Sequence, residues 1–354
     1  MAGNKSFNGK VYGWAIIGTG HIAERFARDL KYLPRAKLRA VLSRDLKTAE
    51  AFAMRLGVEK AHADMDALLS DKSVDIVYVA SPNSVHLSQA LRVVRAGKHV
   101  LVEKPVVPSE PEVDVLAREA ARNGVFAMEA MWVRFLPGIA AIREAIAAGV
   151  IGEIERITGS LSWKKDFDAE SRFFSKALGG GASLDLGVYL LSLSMHLLGE
   201  PMKISGRWDA APTGVDMSAR YTLHYKNAVA ELVCGFDENR HNCFEIAGTK
   251  GTIRISDPFI HAERIEIASG AMARRLLATF KSGIPAKILA RLPFPGHRIL
   301  RFPLQGTGLS AQADAVMQAL DEGKIQHPLM PLRDSAAVLR AIHLLMSHAP
   351  VEEA

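Results

Sequence analysis

An apolar run from Val11 to Gly18 ends in Gly18-Thr19-Gly20-His21-Ile22-Ala23, and a helical pattern follows from Ile22 to Leu33. No other stretch constrains the fold as tightly. A Gly-x-Gly-x-x-Ala turn between a strand and a helix has three separate jobs. The first glycine permits the tight turn, the second lets backbone approach a pyrophosphate, and the small third residue allows close helix packing. Further along, Val100-Leu101-Val102-Glu103-Lys104-Pro105 reads as a buried strand that delivers a lysine at its carboxyl end.

Between these motifs strands alternate with helices. Lys37–Ser43 reads as a strand and Lys47–Leu56 as a helix. Val74–Ala80 is a strand of buried type, stopped by Ser81-Pro82-Asn83; a helix from Val85 to Ala96 and the strand Lys98–Val102 follow. Val113–Asn123 and Phe126–Met128 continue the pattern. Such alternation predicts parallel βαβ units, hence an α/β protein with an N-terminal doubly wound Rossmann sheet. Ligands on these sheets bind beyond the carboxyl ends of the strands, where Gly18–Gly20, Ser43-Arg44, Ser81–Asn83 and Glu103–Pro105 all fall.

After about Met131 the pattern changes. A helix is expected over Pro137–Ala148, then short alternating stretches at 154–163, 221–225, 229–234, 243–247 and 252–256. These predict an open, mostly antiparallel sheet. One helix, about Ala182–Leu198, interrupts it, and two more end the chain at 310–322 and 333–347. The expected division is a nucleotide-binding domain over 1–131 and a substrate and oligomerisation domain over 132–354, the last helix being free to pack back on the first domain.

A chain of 354 residues suits two domains, and 49% apolar with 23% charged residues is globular composition. No run reaches the 18 apolar residues of a spanning helix, and the first eight residues lack an apolar signal core, so a cytoplasmic protein is expected. Cys234 and Cys243 have no metal-ligand or redox spacing, and no metal site is expected. The net charge of +6 is concentrated: no acid lies between Gly270 and Ala313, while Arg274, Arg275, Lys281, Lys287, Arg291, Arg298 and Arg301 do. Without interleaved aromatics or a known motif, this does not predict nucleic-acid binding. Met272, Leu276, Leu277 and Phe280 make an apolar helical face within the 271–301 stretch. The face suits packing on its own domain, a lid, a partner site or a membrane surface; no firm membrane association is expected.

Cofactor contacts are expected from Gly18, Thr19, Gly20, His21 and Ile22, from Ser43 and Arg44, and from Ser81, Asn83, His86, Glu103 and Lys104. Arginine at the end of the second strand suits a 2′-phosphate, so NADP is expected, with NAD kept open by Asp45 unless that residue caps the next helix. Lys104 ends an otherwise apolar strand. It is read as a proton-transfer or ribose group, the alternative being an ion pair with Glu103. Asp185 and Tyr189, four apart on an apolar helix opened by Gly179-Gly180-Gly181, share one face. Their structural reading is a capping aspartate and a core tyrosine; the chemical reading is a tyrosine hydroxyl that serves as acid or base where a nearby cation lowers its pKa.

Together, Gly18-x-Gly20-x-x-Ala23, Glu103-Lys104-Pro105 and Gly179-Gly180-Gly181 with Asp185-x-Gly187-x-Tyr189 resemble the Gfo/Idh/MocA oxidoreductases. Glu129-Ala130-Met131-Trp132-Val133-Arg134-Phe135-Leu136-Pro137 is similar to the stretch found in the branch of dimeric dihydrodiol dehydrogenases and NADP-dependent D-xylose dehydrogenases. The resemblance implies catalysis by Lys104 and Tyr189; in a dehydrogenase of this kind Lys104 is expected to hold the ribose and ease loss of the tyrosine proton, and Asp185 to orient substrate or tyrosine. It sets Trp132 and Arg134 by the cleft, either to stack on a sugar ring and bond its oxygens or to pack between domains. It implies a sugar- or polyol-like substrate, hydride transfer at a secondary alcohol or hemiacetal of a sugar or cyclic diol, and a homodimer or higher homo-oligomer. The alternative on the same fold is a non-catalytic NAD(P)-binding sensor.

Overall fold

The computed structural model describes residues 9–271, 275, 279 and 295–350. The chain divides into two compact units. Most of the basic 271–301 stretch, including Met272, Arg274, Leu276, Leu277, Phe280 and Lys281, lies outside the described residues.

The first unit opens with six parallel strands, β1 (Tyr12–Ile17), β2 (Ala36–Leu42), β3 (Lys60–His62), β4 (Ile76–Val79), β5 (His99–Val102) and β6 (Ala127–Glu129). Their order is β3-β2-β1-β4-β5-β6. This is the doubly wound order, with the switch point between β1 and β4. β1 and β4 are buried at every residue, as continuous apolar runs covered on both faces must be. Helices α1 (His21–Leu30), α2 (Leu46–Leu56), α3 (Met65–Leu69), α4 (His86–Arg95) and α5 (Glu110–Arg122) make the crossovers. Their starts are encoded locally. Asp45 accepts the Thr48 N–H at 2.9 Å to cap α2, and Ser109 with Glu112 forms a capping box on α5.

The second unit carries α6 (Pro137–Ala147), β7 (Ile154–Ser162) and α7 (Val188–Leu198), then β8 (Lys203–Ala210), β9 (Asp216–His224), β10 (Val229–Gly235), β11 (Phe244–Gly248), β12 (Gly251–Ile255), β13 (Arg264–Ser269) and β14 (His297–Arg301). The eight strands run in the order β14-β13-β12-β11-β7-β10-β9-β8. Only β7 and β10 pair in parallel. One face is apolar and buried, through Ile157 and Leu161, Tyr221 and Leu223, Leu232 and Cys234, and Ile253 and Ile255. α7 lies on it. Gly159 of β7 leaves room for Leu190, whose Cδ2 would stand 2.8 Å from any Cβ placed there. The opposite face is polar and half-exposed, with Arg156 paired to Glu231 and Arg254 to Glu245 across neighbouring strands. The 176–198 stretch is long and apolar enough to cross a membrane, but 72% of its apolar window is buried within the fold, as in a core helix.

Residues 305–336, expected in the second domain, group with the first unit. The reason is a set of polar ties to α1, β1 and the start of β2. Asp29 of α1 accepts hydrogen bonds from the Thr307 N–H, the Thr307 hydroxyl and the Leu309 N–H at 2.9–3.0 Å. At the far end of α8 (Ser310–Asp321), Asp321 accepts from the Tyr12 hydroxyl at 2.9 Å and pairs with Arg35. The division then falls inside α9 (Leu332–Met346).

Candidate active site

In the first unit the turn after β1 is wedged between its neighbours. The Gly18 N–H donates to Leu42 O at 2.9 Å, and a Cβ at Gly18 would stand 2.4 Å from Ala80 O at a φ of +109°. Only glycine fits that conformation without strain. Gly20 is the opposite case: a Cβ there would meet no protein atom within 4 Å. Gly20 is also the N-cap of α1, with no side-chain cap, so the first-turn amides face that open space. Ala23 is fully buried, and Phe26 stacks on Tyr78 with ring centroids 3.9 Å apart, which fixes the helix on the sheet.

An uncapped helix N-terminus behind a bare backbone turn fits a dinucleotide pyrophosphate. The end of β2 fits its adenosine side. Ser43 hydrogen-bonds through its backbone to His62 O, and Arg44 is exposed. Asp45 is committed to α2: hydrogen bonds from the Thr48 hydroxyl and N–H hold its carboxyl below the usual range. The arginine is therefore the charged group left at this strand end for a ribose phosphate.

Beyond β4 and β5 lie Ser81–Asn83 and Glu103–Pro105. The Ser81 hydroxyl donates to Gln89 Oε1 at 2.6 Å, and Asn83 opens a short 3₁₀ turn. Glu103 is buried; its carboxylate accepts the Tyr78 hydroxyl and, at 3.1 Å, the N–H of Lys104. Burial pushes the Glu103 carboxyl up to about 6, against the Tyr78 hydrogen bond and the Lys104 charge. Lys104 itself is half-buried, and its peptide bond to Pro105 is cis. The next residue, Val106, donates its N–H to Glu129 Oε1 at 3.0 Å, and the Ser335 hydroxyl donates to Glu129 Oε2 at 2.7 Å. Tyr78 and Glu129 had no assigned role in the sequence; an acid ending the short apolar β6 is the signal that pointed to one.

His86 differs from its expected place among the cofactor contacts. Its ring is fully buried, with Nδ1 2.9 Å from Pro105 O and Nε2 2.9 Å from Ser81 O.

In the second unit the glycine run leads into the helix of Asp185 and Tyr189. Gly181 has φ +121°, and a Cβ there would stand 2.2 Å from Asp216 Oδ1. Asp216, buried on β9, accepts the Ser183 N–H at 2.6 Å, and the Tyr221 hydroxyl donates to Ser183 Oγ at 2.6 Å. Burial pushes both the Asp216 carboxyl and the Tyr221 hydroxyl upward. This network fixes the start of the segment, which is not regular helix as expected: Ser183–Gly187 is a π turn that passes into α7. Such wide turns re-aim side chains and recur at functional sites. Asp185 lies in it, 3.4 Å from the Arg172 guanidinium, and Tyr189 sits in the first turn of α7, 8% exposed.

Arg134 is 2% exposed and donates from Nε to Ser192 Oγ and from Nη2 to Ser192 O, both at 2.8 Å. Those two donors serve α7 one turn beyond Tyr189 rather than a substrate oxygen. Trp132 is 6% exposed, which leaves its ring little surface for stacking. A cavity of about 440 Å³ in this unit is lined by Ser256, Asp257, His261, Glu263, Arg264 and Arg301, none of them a residue of the motifs.

His196, on α7, has a buried Nε2 without a hydrogen-bond partner, and burial with the Arg134 and Arg143 charges pulls its pKa to about 3. The unfolded chain therefore takes up a proton near pH 6.5 that the folded chain refuses. Stability is expected to be full above that pH and to fall toward pH 3 by up to about 1.4 kcal/mol per pH unit. Denaturant unfolding at several pH values is expected to show a shallower acid limb for His196→Leu; an unchanged slope would contradict the assignment.

Comparison with known proteins finds likenesses over most of the chain. The family model described as "Oxidoreductase family, NAD-binding Rossmann fold" (GFO_IDH_MocA) matches residues 12–131, and the "GFO/IDH/MocA C-terminal domain" matches 139–254. A trans-1,2-dihydrobenzene-1,2-diol dehydrogenase from Bos taurus is 30% identical over 327 residues, 91% of this chain and 92% of the relative. A D-xylose 1-dehydrogenase (NADP(+)) from Hypocrea jecorina is 32% identical, covering 93% of this chain and 90% of the relative. Among solved structures, aldose-aldose oxidoreductase from Caulobacter crescentus has a TM-score of 0.82 at 22% identity, covering 96% and 97% of the two chains. At that identity the likeness speaks for the fold.

Proposed function

The chain belongs to the Gfo/Idh/MocA oxidoreductase family, and on that premise we propose that it transfers hydride between NADP and a secondary alcohol or hemiacetal of a sugar or cyclic diol. The observation that carries the reading is the carboxyl edge of the parallel sheet. There the Gly18–Gly20 turn and the Lys104 loop leave neighbouring positions, separated only by β4. The xylose and dihydrodiol dehydrogenases named above support the substrate class.

In the oxidative direction the carbinol carbon gives up a hydride and its hydroxyl a proton. When bound, the nicotinamide supplies the hydride acceptor. The Gly18–Gly20 turn and the α1 amides hold the pyrophosphate, and Arg44 with Ser43 takes the 2′-phosphate. Tyr189 accepts the hydroxyl proton, and Lys104 supplies a positive charge that holds ribose hydroxyls. Asp185 orients the substrate by accepting from its hydroxyls. Arg134, Asp216 and Ser183 keep Tyr189 in place. A homodimer is proposed as the assembled form; the half-exposed sheet face bearing Thr158, Thr222, Val229 and Val233 supports it.

The test is turnover with NADP⁺ against a panel of aldoses and cyclic diols, read at the reduced-nicotinamide absorbance band. At least one substrate is expected to give NADPH; tight NADPH binding with no turnover anywhere would favour a sensor instead. Arg44→Ala is expected to raise the NADPH Kd about tenfold more than the NADH Kd, a selective loss of about 1.4 kcal/mol. Equal losses for both nucleotides would remove Arg44 from the 2′-phosphate site.

A further inference from the structure

The wide turn that carries Asp185 begins at Ser183, and one strand, β9, clasps Ser183 at two atoms. Asp216 Oδ2 accepts the Ser183 N–H, and the Tyr221 hydroxyl donates to Ser183 Oγ, each at 2.6 Å. Ser183 is fully buried and Tyr221 is 2% exposed, so water replaces neither bond. Burial pushes the Tyr221 hydroxyl and the Cys234 thiol upward, which keeps both protonated. Cys234 Sγ lies 4.0 Å from Ser183 Oγ and would stand 3.1 Å from a Cβ on Gly187, so the end of the turn rests on it.

The two clasps differ in kind. Asp216 holds a backbone N–H, which every residue but proline would offer at 183. The hydroxyl contact needs a serine at 183 and a tyrosine at 221. A π turn takes up one more residue than an α turn. With about 3.6 residues in a regular turn, releasing that residue would swing Asp185 by about 100° relative to α7. Asp185 follows Ser183 by two residues. Tyr189 lies further on, inside regular helix that Arg134 also holds through Ser192. The aim of Asp185 therefore depends on Ser183 more than that of Tyr189 does.

We propose that Tyr221 is a positioning residue: by holding Ser183 Oγ it keeps the turn wide and Asp185 aimed, so that a buried phenol remote from the chemistry sets substrate affinity. The inference rests on the proposed role of Asp185 in orienting substrate.

Tyr221→Phe, Ser183→Ala and the two combined test it. Tyr221→Phe is expected to raise KM for the sugar or diol about tenfold, with kcat within about threefold of the wild type. Ser183→Ala leaves the Tyr221 hydroxyl buried without its acceptor, so the same rise in KM should come with a melting temperature lower by about 2 °C or more. The combined change removes both partners. Its melting temperature should recover toward the wild type while KM stays raised, because the bond that aims the turn is still missing. A residue that merely fills the core would leave KM unchanged in Tyr221→Phe, or let KM recover with the melting temperature in the combined variant. Either result, or a kcat that falls at unchanged KM, would overturn the proposal. Deuterium exchange of the backbone amides over 181–188 needs no turnover and is expected to be faster in all three variants. A wild type that oxidises no sugar or diol would refute the proposed function, while unchanged exchange in the variants would still overturn the role of Tyr221.

Discussion

Tyr189→Phe is expected to lower kcat by about a hundredfold or more while the NADPH Kd changes little, because general acid–base groups contribute about 10²–10⁴ in rate. The change removes one oxygen from the first turn of α7. The backbone start of that helix is fixed independently, by Asp216 on the Ser183 N–H and by Arg134 on Ser192, so the loss is chemical rather than structural. Lys104→Met should do the same from the first unit, since the loop keeps its ties through Glu103 and Val106. Turnover that survives both would remove these residues from the chemistry.

A pair of glycine variants is expected to separate fold from ligand equally sharply. Gly18→Ala drives a Cβ to 2.4 Å from Ala80 O at a φ of +109°, and should cost about 3 kcal/mol or more of stability. Gly20→Ala adds a Cβ that meets no protein atom, at an N-cap whose φ of −73° suits any residue. Its stability cost should stay under about 1 kcal/mol. The NADPH Kd should nevertheless rise about tenfold or more, because the methyl fills the space in which a pyrophosphate approaches the α1 amides. Thermal melts and nucleotide titrations of both proteins check this. An unchanged Kd for Gly20→Ala would mean that the turn does not hold the phosphates.

The parts of this molecule that the sequence makes legible are those with a local physical signal. β1 and β4 are unbroken apolar runs, and β5 is apolar from Val100 on, because they are covered on both faces, and the glycine turn follows directly from one of them. β3 escapes because it is three residues long with no fully buried position. β8 escapes because it is an edge strand with Lys203, Gly206 and Arg207 exposed, so its alternation is blurred. Lys104, Asp185 and Tyr189 were readable as polar groups in apolar surroundings. Their supports were not, since Tyr78 meets Glu103, Asp216 meets Ser183 and Ser335 meets Glu129 only through tertiary pairings 25, 33 and 206 residues apart. The same limit explains His86 and Arg134: composition marks them as polar and special, but only the fold turns their nitrogens onto backbone carbonyls and Ser192. The division of the chain depends on Asp29 and Asp321, whose partners are likewise distant in sequence.

Hydride transfer is the central claim, and an isotope follows it most directly. A substrate identified from the aldose and diol panel, carrying deuterium on its carbinol carbon, is incubated with NADP⁺ and the protein, and the recovered NADPH is analysed by mass. The account predicts one deuterium per nicotinamide, in the reduced ring, and none with Tyr189→Phe over the same time. NADPH without deuterium, or label transferred equally by Tyr189→Phe, would contradict it.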